Sequence, residues 1–96
     1  MTEAEKRSFV EMLDALQSTL EEEITNYSLE STEDLNDEEN DWVSRVLWFS
    51  RGDKEFFVVL TPYGEIRASH KRIPRELLIQ ITNNVNGFIY ESLLND

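Results

Sequence analysis

Cysteine is absent from this 96-residue chain, which excludes disulfides, thiol catalysis and cysteine-based zinc or iron–sulfur sites. Glycine is scarce, with three residues, and the chain has no glycine-rich loop of the kind that binds phosphates. No run of about 18 apolar residues occurs, so no membrane-spanning helix is expected. The first residues are polar and acidic, unlike a secretory signal, and we therefore predict a cytoplasmic protein.

Basic residues are nearly missing from the first part of the chain. Residues 1–41 contain 14 acidic side chains against Lys6 and Arg7, whereas residues 42–96 contain six acidic and seven basic side chains. The net charge of −11 therefore belongs to the first two-fifths of the chain. Such a charge disfavours general affinity for nucleic acids or anionic membranes and favours a basic protein partner.

The spacing of apolar residues predicts an α+β fold with the element order α-β-β-β-α. A first helix is expected over residues 2–26, where apolar side chains recur at helical spacing and Thr2 and Glu5 fit a capping box. Pro74 suits the first turn of a second helix. Runs rich in β-branched and aromatic residues predict strands over residues 42–50, 55–61 and 65–70. Tight turns between them favour a three-stranded antiparallel meander packed against the two helices.

Two segments depart from regular helix and strand patterns within this expected single domain of residues 1–96. Residues 28–41 contain only two large apolar side chains, so we expect an acidic loop or arm there, with a short helical turn as the alternative. Residues 83–87 contain three asparagines and a glycine, which are poor helix formers. They predict a break in the second helix, and a hairpin with its turn at Asn86-Gly87 is the alternative.

The predicted strands are apolar on both faces. One face carries Val43, Leu47 and Phe49, and the other carries Trp42, Val46 and Trp48. Because a sheet with one wet face alternates more cleanly, something is expected to cover the second face. A homodimer through this aromatic-rich sheet is one candidate, and the acidic arm, the helices or another protein are the others. Packing explains these aromatics better than base stacking, because few basic residues lie between them.

The acidic residues between positions 21 and 41 are the candidate partner-binding site. Some of them lie in the last turns of the first helix, where the helix dipole makes negative charge unfavourable. Such violations of local rules are enriched at functional sites, so we interpret these residues as contacts for a basic partner, with solubility as the alternative. The predicted contact set is Glu21, Glu22, Glu23, Glu30, Glu33, Asp34, Asp37, Glu38, Glu39 and Asp41.

These contacts predict a small non-enzymatic interaction protein, of the inhibitor, nucleic-acid mimic, immunity-like, adaptor or secretion-chaperone type. No enzyme is predicted, because His70 is the sole histidine and no serine lies in a nucleophile elbow. A calcium-binding EF-hand loop starting at Asp34 would need Gly at its sixth position and Glu at its twelfth. Those positions hold Glu39 and Arg45, so neither a metal nor a cofactor is expected.

A basic cluster lies before and within the start of the second predicted helix, where backbone N–H groups favour anions. It comprises Arg67, His70, Lys71, Arg72 and Arg75. Binding of a phosphate ligand or a nucleic acid through this cluster is the alternative function. Pairing with the acidic arm, in the same chain or in another subunit, is the structural alternative.

Ser69-His70-Lys71-Arg72 before Pro74, together with the order α-β-β-β-α, resembles the double-stranded RNA-binding domain family. That resemblance implies contact with RNA through the start of the second helix. The chain departs from the family in its first helix, whose Glu side chains would repel the minor groove of an RNA duplex. A likeness of topology does not by itself carry function.

Overall fold

The computed structural model describes residues 2–68, 73–85 and 88–90, and within them it contains two helices and five strands. In chain order the elements are α1 (Glu3–Glu23), β1 (Ser28–Asp37), β2 (Trp42–Arg51), β3 (Lys54–Leu60), β4 (Ile66–Ala68), α2 (Arg75–Asn84) and β5 (Phe88–Tyr90). The strands form one sheet in the order β1-β2-β3-β4-β5. Strands β1 to β4 pair antiparallel, and β5 pairs parallel to β4. Neither described helix has the length and apolar character needed to cross a membrane.

The α+β class, the antiparallel meander of β2, β3 and β4, and the packing of helices on the sheet are confirmed. The expected loop or arm over residues 28–41 is wrong for residues 28–37, which form β1, whereas residues 38–41 form a turn. This strand forms with few apolar residues because its backbone pairs with β2 along its length, while nearly all of its side chains stay exposed. The alternative of a short helical turn is excluded by the same pairing.

The end of the described chain also differs from the sequence-based prediction. α2 ends at Asn84, so the predicted break is confirmed, and the Val85 N–H donates to the carbonyl of Ile81 at 2.9 Å. Residues 88–90, which the apolar spacing had placed in the helix, form β5 instead. The alternative hairpin is wrong, because the residues that would form its first strand are helical. Its proposed turn at Asn86-Gly87 lies outside the described residues.

Both ends of α1 are held by defined contacts. The predicted capping box is present: Thr2 Oγ1 accepts from the Glu5 N–H at 3.1 Å, and Glu5 Oε1 accepts from the Thr2 N–H at 3.4 Å. At the other end Gln80 Nε2 donates to the Glu23 carbonyl at 2.8 Å, a group that the helix itself leaves open. The Glu23 carboxylate accepts from Gln80 and Asn84 at 3.3 Å each. These bonds join the end of α1 to α2.

The core lies between the helices and one face of the sheet. Leu13 and Leu20 of α1 are 0% exposed and pack with Leu77 and Ile81 of α2 and with the sheet. The sheet contributes the buried side chains Val43, Leu47, Phe49, Phe56, Val58, Leu60 and Ile66. Because Val43, Leu47 and Phe49 belong to one predicted face of β2, the helices cover that face.

The other face of the sheet carries aromatic side chains as predicted. The rings of Trp48 and Phe57 lie 4.8 Å apart on neighbouring positions of β2 and β3. Trp42, Val46 and Val59 are half-buried. The second face is therefore apolar and only partly covered by the described residues, and dimerisation through it stays a prediction.

Candidate partner-binding surface

The predicted acidic contacts lie on the end of α1, on β1 and in the turn between β1 and β2. Those of α1 are Glu21, Glu22 and Glu23; those of β1 are Glu30, Glu33, Asp34 and Asp37; those of the turn are Glu38, Glu39 and Asp41. β1 is an edge strand whose residues 30–36 are all exposed. The acidic segment is thus a structured edge of the sheet.

Arg45 of β2 is the cation that pairs with this edge, and it is only 8% exposed. Its Nε donates to Asp34 Oδ1 at 2.6 Å and its Nη2 to Asp34 Oδ2 at 3.1 Å. Its Nη1 donates to Asp14 Oδ1 at 2.6 Å and to Gln17 Oε1 at 3.1 Å. Bidentate pairing of a guanidinium with a carboxylate adds geometric specificity to a charge-assisted bond. Arg45 therefore joins α1, β1 and β2 at one point.

The charges around Arg45 do not cancel. The hydrogen bonds that Arg45 donates to Asp34 have the largest influence on the pKa of Arg45 and raise it, burial acts in the opposite direction, and Asp14 raises the pKa further. Arg45 thus stays cationic, while two carboxylates share its single charge. The side chains of Asp14 and Asp34 are 64% and 41% exposed. The network consequently holds the acidic sides of α1 and β1 next to each other at the surface.

Asp37 closes the hairpin between β1 and β2. Its Oδ1 accepts from the Asn40 N–H at 3.0 Å, and its Oδ2 accepts from Asn40 Nδ2 at 2.8 Å and from Trp42 Nε1 at 3.1 Å. The side-chain hydrogen bond from Asn40 is the largest of the contacts that lower the pKa of Asp37 below its ordinary value of 3.8. The closed turn leaves Glu38 and Glu39 exposed at its tip.

Replacing Asp37 by Ala is expected to make stability less sensitive to acid. Because the pKa of Asp37 is lower in the folded state, ionised Asp37 stabilises the folded protein. This contribution to the free energy of unfolding is present above pH 3.8 and is lost as the pH falls through the folded-state pKa. Thermal midpoints of the natural chain and of Asp37→Ala, measured from about pH 7 to about pH 3, should therefore converge at the acid end. Asp37→Asn, which retains one acceptor oxygen, should fall between them. A gap that stays constant over this pH range would contradict the assignment.

Six acidic residues of the predicted set form no ion pair with any described residue and are exposed. They are Glu21, Glu22, Glu30, Glu33, Glu38 and Glu39. The Ser50 hydroxyl donates to Glu30 at 2.5 Å, which orients that carboxylate without neutralising it. The remaining four members of the set have partners within the molecule; they are Glu23, Asp34, Asp37 and Asp41.

Comparison with models of protein families, with curated proteins and with solved structures finds no match.

Two members of the predicted basic cluster, Arg67 and Arg75, are among the described residues. Arg67 lies in β4 and donates from Nη2 to Glu65 Oε2 at 2.9 Å. Arg75 begins α2 and is exposed. His70, Lys71 and Arg72 lie outside the described residues.

Sequence reasoning missed the residues that organise this surface, namely Arg45, Asp14 and Gln17. One signal was available. Arg45 alternates with Val43 and Leu47, so it occupies the face of β2 that is otherwise apolar. A cation at such a position requires hydrogen-bonded partners of opposite charge, although the sequence does not say which carboxylates these are.

Two cavities lie among the described residues. One, of about 110 Å³, lies where the end of α1 meets α2 and includes Tyr27, whose buried hydroxyl has no hydrogen-bond partner there. This volume is well below the ~300 Å³ at which small-molecule sites begin. A second, of about 270 Å³, is an open hollow beside β1, lined by Glu30, Ser31, Trp48, Phe49 and Glu55. Within residues 2–68, 73–85 and 88–90, no three potential metal-ligating side chains come together.

Proposed function

We propose that this protein is a small non-enzymatic interaction protein that binds a basic surface of a partner protein. The observation that carries the proposal is the exposed row of acidic side chains on β1 and its turn that have no cation among the described residues. Glu33, Glu38 and Glu39 represent this row. Their charges are available to a partner because no described residue neutralises them.

The rigidity of the row supports the proposal. A flexible arm would lose conformational entropy on binding, of the order of 1 kcal/mol for each residue that becomes fixed. Here β1 is already paired with β2, and Asp34 is tied to Arg45 by two hydrogen bonds. The backbone that carries the acidic side chains of β1 is therefore held in place before the partner arrives, which favours affinity.

Binding of this kind has a kinetic signature. Complementary charge accelerates association and makes it strongly dependent on salt, whereas close packing and hydrogen bonds mainly determine the dissociation rate. A partner surface that normally binds phosphates would present the matching pattern of Lys and Arg. Inhibitor, nucleic-acid mimic and adaptor roles all use this same contact.

The test compares two triple variants with the same change in net charge. Glu33→Gln/Glu38→Gln/Glu39→Gln neutralises the proposed surface, and Glu3→Gln/Glu11→Gln/Glu76→Gln neutralises three exposed acids elsewhere. We expect the first triple to weaken binding of a fluorescent lysine-rich peptide about tenfold at low salt, and the second about twofold. Fluorescence anisotropy at several salt concentrations gives both the affinity and its salt dependence.

Equal effects of the two triples would mean that only net charge matters, and the proposed surface would be wrong. Duplex RNA serves as a second probe at ~50 mM salt, where counterion release favours binding most. Binding of the duplex that is unchanged in both triples would support the alternative function through the basic cluster. No duplex binding together with a tenfold difference between peptide affinities would support the acidic surface.

A further inference from the structure

The outer side of β1 is an open edge of the sheet. β1 pairs with β2 on one side, and no strand within the described residues pairs with its other side. An edge of this kind exposes N–H and C=O groups that can pair with another extended chain. β1 is ten residues long and contains no proline, so most of its outer backbone groups are available for such pairing.

The charges of β1 determine which chain can pair with it. Side chains directly opposite each other on neighbouring strands lie about 5 Å apart, and like charges there are destabilising. A second copy of this chain would bring its own acidic strand against Glu33 and Asp37, so edge-to-edge pairing of two copies is disfavoured. A basic strand would instead form opposite-charge pairs with the same residues. The charges of β1 thus disfavour pairing with β1 of a second copy and favour pairing with a basic strand.

The open hollow beside β1 independently suggests the same chemistry. It lies next to the irregularity in β1 between Leu29 and Ser31 and has the Trp48 side chain in its wall. Two carboxylates, of Glu30 and Glu55, also line it. An aromatic face attracts a guanidinium or ammonium group, and the aliphatic stem of Arg or Lys covers apolar surface. The hollow therefore suits one long basic side chain.

We propose that a basic segment of the partner adds to β1 as an extended strand and places one Arg or Lys side chain in the hollow beside Trp48. The inference rests on the proposed function and specifies how the basic surface is bound. Pairing with β2 places Glu33 opposite Val46 and Leu35 opposite Ser44, so Glu33, Leu35 and Asp37 share the face of Trp48. A matching strand has basic, apolar and basic residues at alternate positions, because alternate side chains share a face.

The first experiment tests the backbone pairing. The probe is a labelled peptide with the sequence Thr-Arg-Thr-Val-Thr-Arg-Thr, prepared unmodified and with N-methyl groups on either of its two alternating sets of residues. One alternating set directs its N–H groups to β1 and the other directs them away. We expect N-methylation of one set to weaken binding at least about tenfold and of the other about twofold or less.

Equal affinities of the two N-methylated peptides would overturn the strand-addition inference. The triple variant Glu33→Gln/Glu38→Gln/Glu39→Gln separates this failure from failure of the proposed function. If this triple weakens all three peptides while the methylation pattern has no effect, the acidic surface stands and only strand addition fails. If the triple leaves all three affinities unchanged, the proposed function itself is wrong.

The second experiment tests the hollow. Trp48→Leu retains an apolar side chain but removes the aromatic face, and it should weaken the Arg peptide about fivefold. A peptide with Gln in place of both Arg residues should bind more weakly, and Trp48→Leu should change its affinity little. Tyr63→Leu is the control because it removes an exposed aromatic ring that does not line the hollow. Equal effects of Trp48→Leu on both peptides would show that no basic side chain binds in the hollow.

Discussion

The double variant Asp14→Asn/Asp34→Asn is expected to lower the free energy of unfolding by about 2 to 3 kcal/mol. Arg45 is 8% exposed, and without its carboxylates it would remain a buried cation with neutral partners. Breaking a buried ion pair costs about 3 to 5 kcal/mol. We expect a smaller loss because Asp14 and Asp34 are partly hydrated in the folded protein. Urea denaturation monitored by tryptophan fluorescence measures the difference.

Two control variants separate the cost of an unpaired buried charge from other effects on stability. Arg45→Met removes the buried charge together with its need for partners, and its loss should be smaller, about 1 kcal/mol. Glu21→Gln/Glu22→Gln removes two exposed charges and should change stability by less than about 0.5 kcal/mol. A larger loss for Arg45→Met than for the double aspartate variant would show that the guanidinium contributes mainly by packing.

Phe49→Ala should destabilise the protein by about 3 to 5 kcal/mol, the usual cost of truncating a buried phenylalanine. Phe49 is 1% exposed and its ring stacks on Phe56 with a centroid distance of 5.4 Å. The adjacent Trp48 points to the other face of the sheet and is half-buried. Trp48→Ala should therefore cost less, about 1 to 2 kcal/mol. Thermal and urea unfolding of the two variants measure the contrast.

The same comparison tests whether something covers the second face. If Trp48→Ala cost as much as Phe49→Ala, and its cost depended on protein concentration, Trp48 would be buried by a second copy of the chain. The predicted homodimer would then be supported. A loss for Trp48→Ala that is independent of concentration would place Trp48 on a free surface of the monomer.

Regular apolar patterns made much of the fold predictable. α1 has a capping box at Thr2 and an apolar stripe, and both appear where expected. β2 and β3 are dense in β-branched and aromatic residues, and the turn between Arg51 and Lys54 determines their pairing. In these elements the local preference of the chain and its burial agree.

Two strands could not be predicted because their local sequence does not indicate a strand. β1 is exposed on both faces, so it shows no alternation of apolar and polar residues, and its low apolar content is also typical of a loop. β5 begins at Phe88, which also fits the apolar spacing of a helix. Pairing with β2 and with β4, respectively, decides these segments, and such pairing depends on residues distant in the sequence.

The candidate site was predictable in composition and not in arrangement. Counting charges identified the acidic residues, but it did not separate Glu33, which is exposed and without an ion pair, from Asp34, which binds Arg45. Neighbouring residues on a strand point to opposite faces, so their roles differ. Glu33 and Asp34 can be told apart only from the register of β1 against β2. The prediction of a loop over these residues gave no such register.

The position of β1 at the edge of the sheet affects which substitutions this protein can accept during evolution. Most of the side chains of β1 are exposed, and β2 is the one strand of the described sheet that pairs with it, so many substitutions there should cost less than about 0.5 kcal/mol. Substitutions at Asp34, which holds Arg45, and at Asp37, which holds the turn, are the exceptions. The acidic edge can therefore acquire new residues while the helices and the central strands keep the same fold.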